Sequence, residues 1–316
     1  MTSLDLAGPA GQADLEAAAS HEPAACWCGR TSRRGFTALL AAAAAAPGAA
    51  LASIPECERS IYTGAIPAGQ VEGAAAQQYR QMLREADGQR MLAARDHPQA
   101  LRLRFIADRI IPFAPACNER ASRWQWEVNL IGSNEINAFC MPGGKIGFFL
   151  GILSRLQLDD DEVAAIMGHE AAHALLEHAR EQIGKNFVTT GALRLGAAIF
   201  GLGDVGDIFA QIGGKLASLS FSRSDESQAD ALGLLMSAQA GYNPRAGISL
   251  WQKMMRVGGG TPIKLLSTHP TNEKRVAEIQ ARLPRMEPVF RAAAKPPRRF
   301  SPPARPAEGA APASRR

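Results

Sequence analysis

Residues 169–173 read His-Glu-Ala-Ala-His, two imidazoles four positions apart with a carboxylate beside the first. On a helix, such residues are separated by about 40° around the axis and about 6 Å along it, so His169 and His173 can both meet one zinc ion. Glu170, one position on, reaches toward a water on the metal rather than the metal itself, which is where a general base must stand. The chemistry this pattern implies is metal-assisted hydrolysis.

Such a site needs a third protein ligand. A metzincin would carry glycine at 176 and histidine at 179, but those positions are Leu176 and Ala179, and His178 is one residue out of register. Glu226-Ser227-Gln228-Ala229-Asp230 supplies two carboxylates four apart on one helical face. One can bind the metal while the other accepts the N–H of a ligating imidazole.

These residues need rigid elements to hold them. Asp159-Asp160-Asp161-Glu162 places negative charge where a helix begins, and the apolar positions Val163, Ile166 and Met167 continue that helix through Leu175 and Leu176. Further helices are expected over Gln70–Leu92, Gln99–Ile111, Ser222–Ala240, Pro244–Arg256 and Asn272–Leu283. Trp124, Trp126, Val128 and Leu130 alternate with polar residues as on a half-buried strand whose tryptophans are read as core. Ile136–Met141 and Lys145–Leu150 flank the turn sequence Pro142-Gly143-Gly144, giving a small antiparallel sheet of about three strands. The apolar, glycine-rich Phe187–Leu219 is interrupted by Arg194, Asp204, Asp207 and Lys215. It reads as one or two buried or lid-forming helices rather than a membrane span.

The ends differ from this body. Residues 1–52 read as a twin-arginine-like export signal: Arg33-Arg34 precede an uncharged alanine-rich run, and Ala50-Leu51-Ala52 fits a cleavage site. An alternative is retention at the inner membrane through an uncleaved Phe36–Ile54 segment. Residues 284–316 contain eight prolines and are expected to be a disordered Pro/Arg/Ala-rich tail. The tail holds eight basic and two acidic residues and the first 52 hold three and four, which leaves 24 of each sign in the body at 53–283. A neutral body argues against a nucleic-acid surface. Cys26 and Cys28 would leave with the signal, whereas Cys57, Cys117 and Cys140 permit one disulfide in an oxidising compartment, its pairing open.

Four motifs in order, Asn137-Ala138-Phe139 with Pro142-Gly143-Gly144, the His-Glu-Ala-Ala-His helix, Glu226-x-x-x-Asp230, and Ser267-Thr268-His269-Pro270 followed by Arg275, resemble a known family. It is the gluzincin metallopeptidases, which include the bacterial HtpX, BepA and LoiP proteins, mitochondrial Oma-type proteases and the CAAX prenyl endopeptidase. The resemblance implies an α+β, zincin-like, mostly helical domain over 53–283. It implies one zinc ion held by His169, His173 and Glu226, with Glu170 as base and Asp230 supporting a ligand imidazole. Asn137 would lie on the strand edge that binds substrate backbone. His269 would approach the metal, either to stabilise the oxyanion or as a gate, and Arg275 would serve the oxyanion and substrate or act as a structural partner. The implied function is an exported, periplasmic zinc endopeptidase acting on unfolded or damaged envelope proteins, with peripheral membrane association. Its rival is a latent, chaperone-like zinc-binding factor gated by His269.

Overall fold

A computed structural model describes residues 57–198, 216, 219–258, 263–270 and 273–305. The export signal expected within 1–52, the Cys26-x-Cys28 pair and most of the expected lid lie outside them. No helix among the described residues is long and apolar enough to cross a membrane.

Two helices open the described chain, α1 (Ala68–Gly88) and α2 (Pro98–Ile110). Three strands follow, β1 (Glu127–Ile131), β2 (Ala138–Met141) and β3 (Lys145–Phe149), and then α3 (Leu150–Leu156). The sheet order is β1-β3-β2. The β2–β3 hairpin is antiparallel as expected, with Ala138 opposite Phe148, but β1 runs parallel to β3, from Glu127↔Lys145 to Ile131↔Phe149. The sheet is therefore mixed, not antiparallel. Alternation within a strand says nothing about which neighbour it pairs with or in which direction. In the hairpin, Gly143 and Gly144 take φ of +83° and +76°, and a Cβ on Gly144 would strike the Trp126 ring at 2.7 Å. Trp124 and Trp126 are half-buried against the core margin, their ring nitrogens donating to Glu72 Oε1 and the Ala121 carbonyl at 2.9 and 3.0 Å.

The centre of the molecule is α4 (Asp160–Leu175), every residue of which is buried except Asp161. A helix apolar on all sides must be enclosed, and α4 packs against β2, α2, α6 (Arg223–Gln239) and α7 (Ala246–Gly258). Its start is held by a reciprocal cap, in which the Glu162 N–H donates to Asp159 and the Asp159 N–H to Glu162, at 2.8 and 3.0 Å. The buried Arg102 of α2 pairs with Asp160 at 2.6 Å. Where α4 crosses α6, Gly168 and Gly233 meet.

After α4 the chain breaks at Glu177, whose φ is +62°, before α5 (His178–Ala198). Three arginines surround the buried Glu177 carboxylate: Arg120 on one oxygen, and Arg180 and Arg59 on the other, at 2.7 and 3.7 Å. Asn118 Nδ2 donates to the Leu175 carbonyl at 3.0 Å, capping the end of α4. A short helix α8 (Lys264–Thr268) and the long α9 (Glu273–Ala292) complete the order. Cys57 and Cys117 form a disulfide and Cys140 is free.

The tail expected from Pro284 is corrected by the structure. Helix α9 runs through Pro284 and Pro288 to Ala292. Both prolines are exposed, so the carbonyls they leave unbonded face water, while Ile279, Leu283 and Met286 keep the apolar spacing on the buried side. Residues 293–305 then return along the body: the Phe300 N–H donates to Asp160 at 2.8 Å and Arg299 pairs with Asp161 at 2.8 Å. Gln157 donates to the Pro303 carbonyl at 2.8 Å.

Candidate metal centre

The residues singled out from sequence converge on the middle of α4. His169 Nε2 and His173 Nε2 are 3.2 Å apart, and the Glu226 carboxylate of α6 faces both, at 3.5 and 3.4 Å. His269, following α8, brings Nδ1 to 3.2 Å from His169 Nε2 and 2.8 Å from Glu226 Oε1. All four side chains are buried, and one donor atom from each lies within 4.8 Å of every other. Tetrahedral zinc, with bonds of about 2.0–2.1 Å, spaces its ligand atoms roughly 3.3–3.4 Å apart. The separations therefore fit such an ion, and three imidazoles with one carboxylate form a donor set that suits zinc.

Around the donors stands a charged frame. Asp230, one turn beyond Glu226, accepts from His169 Nδ1 at 3.0 Å, which turns Nε2 of that ring toward the donor set. Arg275 of α9 grips Asp230 with two nitrogens, at 2.6 and 2.9 Å, and reaches Glu226 Oε2 at 2.6 Å with a third. Its guanidinium lies 3.7 Å over the Trp251 ring, and Trp251 in turn meets His169 edge-on. Through these contacts Arg275 neutralises two buried carboxylates, and its Nη2 also lies 3.3 Å from His169 Nδ1.

The electrostatics follow from this crowding. Burial raises the pKa of Glu170, an effect that His269 and His169 only partly offset. Its Oε1 is buried without a hydrogen bond, 3.7 Å from His269 Nε2. Burial also opposes charge on Glu226 and Asp230, but histidines around the first, and Arg275 with His169 beside the second, hold both carboxyls below their usual range. His169 is opposed by burial too, yet Asp230 and Glu226 push it up to about 9. His173 and His178 are lowered by burial.

Asn137 stands apart from this group. It is buried just before β2, and its carbonyl accepts from the Phe149 N–H of β3 at 3.1 Å. In an antiparallel pair, alternate residues turn their main-chain groups inward. Asn137, Phe139 and Met141 thus face β3, and Ala138 and Cys140 present theirs to the free edge. The edge strand expected from sequence exists beside α4, but the main-chain groups it offers are not those of Asn137.

Sequence reasoning did not single out Phe221, which stacks on His173 at 4.1 Å, or Gln228, 3.1 Å from His178 Nε2. Nor did it single out Trp251, whose place in a helix with a regular apolar stripe looks like that of any core residue. His178 was visible only as a histidine out of register for another ligand pattern.

The family model described as peptidase family M48 matches residues 99–283, more than half of the chain and all of the donor set. The chain belongs to this family. Among M48 relatives, it is 39% identical over 150 residues to the mitochondrial metalloendopeptidase OMA1 of Arabidopsis thaliana, covering 48% of this chain and 30% of that protein. It is 34% identical over 208 residues to the OMA1 protein of Schizosaccharomyces pombe, covering 65% and 59%. With the metalloprotease LoiP of Escherichia coli it shares 28% identity over 188 residues, covering 54% and 73%. The chain thus spans less than two thirds of the length of either OMA1 relative. The M48 assignment agrees with the gluzincin resemblance and with the mostly helical, zincin-like domain observed.

Proposed function

We propose that this M48 protein is a zinc endopeptidase that cleaves unfolded or damaged proteins of the cell envelope. The observation that carries the reading is Glu170 Oε1, a buried carboxylate oxygen without a hydrogen bond, one residue from a donor set with the spacing of a zinc site. Zinc held by His169, His173 and Glu226 would supply a Lewis acid that brings water's pKa toward about 7 and polarises a peptide carbonyl. Glu170 takes the proton of the attacking water at a carboxylate oxygen and delivers it to the departing amide nitrogen. Burial raises its pKa, which favours uptake of that proton. An extended substrate would add to β2 through the outward main-chain groups of Ala138 and Cys140. That mode reads backbone more than side chains and suits unfolded chains.

An exported, periplasmic location is supported by the Arg33-Arg34 signal and by the Cys57–Cys117 disulfide, which belongs in an oxidising compartment. Lysine at both Arg33 and Arg34 should trap the precursor in the cytoplasm; unchanged export would refute the twin-arginine route. Replacing Glu170 by Gln should leave zinc content intact while cutting hydrolysis of an unfolded substrate by about 10²–10⁴-fold. Undiminished proteolysis would overturn the enzymatic reading.

One observation favours the latent alternative. Nδ1 of His269 stands within the donor set itself, where it would fill the fourth zinc position. Catalytic zinc keeps that position open, so the protein in this arrangement would be shut by its own histidine.

A further inference from the structure

The two helix-borne histidines are supported differently. His169 leans on a carboxylate, Asp230, whereas His173 turns its Nδ1 toward another imidazole, with His178 Nδ1 at 2.9 Å. His178 in turn places Nε2 3.1 Å from Gln228 Oε1 of α6, two residues beyond Glu226. We propose that His178, held by Gln228, is a positioning residue that fixes the tautomer and ring orientation of His173 for zinc.

The protons can be assigned by counting. Two ring nitrogens at this distance need one hydrogen between them. His173 Nε2 faces the donor set and must offer its lone pair to bind a metal, so in the neutral ring Nδ1 carries the hydrogen. His173 therefore donates and His178 Nδ1 accepts. The hydrogen of neutral His178 then sits on Nε2, where Gln228 Oε1, an obligate acceptor, receives it. Each ring nitrogen of the two histidines then faces a suitable partner, and reversing either ring's tautomer leaves two acceptors or two donors face to face.

The backbone explains how His178 reaches this place. On an uninterrupted helix, residues five apart diverge by about 140° around the axis and would not meet. The left-handed turn at Glu177, held by Arg120 and Arg180, ends α4 and redirects the chain so that the first residue of α5 folds back over His173. The buried Glu177 is thus a device for delivering His178.

The same region contains another grouping, His178, Glu181 and Asp225, with one ligand atom of each within 4.8 Å. These residues are engaged otherwise. Both nitrogens of His178 are committed to the relay, Asp225 Oδ2 accepts from the Ser222 N–H at 2.9 Å, and Glu181 pairs with Lys185. The relay thus accounts for this histidine without a second ion.

The inference rests on the zinc reading, and zinc titration against a competing chelator separates the two: wild-type protein that binds no zinc refutes that reading. If wild type binds one zinc, His178→Phe and Gln228→Leu should each weaken binding by about 10–100-fold, the range for outer partners of ligand histidines. Gln228→Glu, which keeps the acceptor oxygen, should restore affinity to within a few-fold of wild type. In the zinc-loaded protein, the Nδ1–H resonance of His173 should be protected from exchange in wild type and exchange rapidly in both weakened variants. Wild-type affinity in a folded His178→Phe protein, or a second zinc per chain that this variant loses, overturns the proposal. Should His178→Phe not fold, the contrast between Gln228→Leu and Gln228→Glu decides, and equal affinities refute it.

Discussion

Gly168 and Gly233 face each other where the histidine helix α4 crosses the carboxylate helix α6, so closely that a Cβ on Gly168 would lie 2.4 Å from the Gly233 carbonyl oxygen. The nearest contact is backbone, with Ser237 Oγ of α6 next at 2.8 Å, so an added methyl must push the two helices apart. His169 follows Gly168 directly and Asp230 precedes Gly233 by less than a turn. Gly168→Ala should therefore cost about 1–3 kcal/mol in stability and weaken zinc binding along with it. Chemical denaturation and zinc titration of the same variant check both; a stable variant with unchanged zinc affinity would show that the crossing does not set the ligand spacing.

Arg275 joins Asp230 to Glu226. Arg275→Leu would leave two buried carboxylates without their cation, and removing one partner from such a group costs about 3–5 kcal/mol. Lysine should recover only part of this, because a single ammonium cannot bridge two carboxylates as the guanidinium fork does. Denaturant midpoints of the three metal-free proteins should fall in the order Arg, Lys, Leu.

His269→Ala tests the gate. With Nδ1 inside the donor set, the side chain blocks the position that a substrate carbonyl needs, so its removal should raise the cleavage rate of an unfolded substrate at unchanged zinc content. A loss of about 10²–10³-fold with zinc retained would instead assign it to the oxyanion.

The free edge of β2 can be probed by proline, which deletes one main-chain N–H. At Cys140 the lost N–H points away from β3, and KM for an unfolded substrate should rise about 2–10-fold, equivalent to one hydrogen bond of roughly 0.5–1.5 kcal/mol. At Phe139 the lost N–H is one that pairs with β3, so that variant should unfold more easily. Equal effects at the two positions would contradict the assigned strand parity.

Cys57 and Cys117 close a loop with a sequence separation of 60 residues. The chain-entropy model gives such a closure about 4 kcal/mol. Thermal unfolding with and without reductant, repeated on Cys117→Ser, should show a reductant-sensitive drop that the variant lacks.

The donor set was legible because its spacing is local: His169, Glu170 and His173 lie within two turns of one helix, and Glu226 and Asp230 within two turns of another. Their convergence with His269 and Arg275 came only through the family resemblance, since no periodicity reports which helices cross. The parallel pairing of β1 with β3 was hidden for the same reason. The composition of 284–316, with its eight prolines, hides the reach of α9 past Pro284, although Ile279, Leu283 and Met286 keep helical spacing across it. His178 was missed because its role depends on one backbone angle at Glu177, a residue type that does not announce a left-handed conformation.

The contacts of residues 299–303 with Asp160, Asp161 and Gln157 tie nearly the last described residues to the first turn of the histidine helix. They bear on the order of events during synthesis. A nascent chain exposed only as far as Leu283 already contains all the proposed zinc ligands, yet the start of α4 has its early partner Arg102 and not its late one, Phe300. The helix at the centre of the domain thus gains these partners only once the chain as far as Phe300 is available.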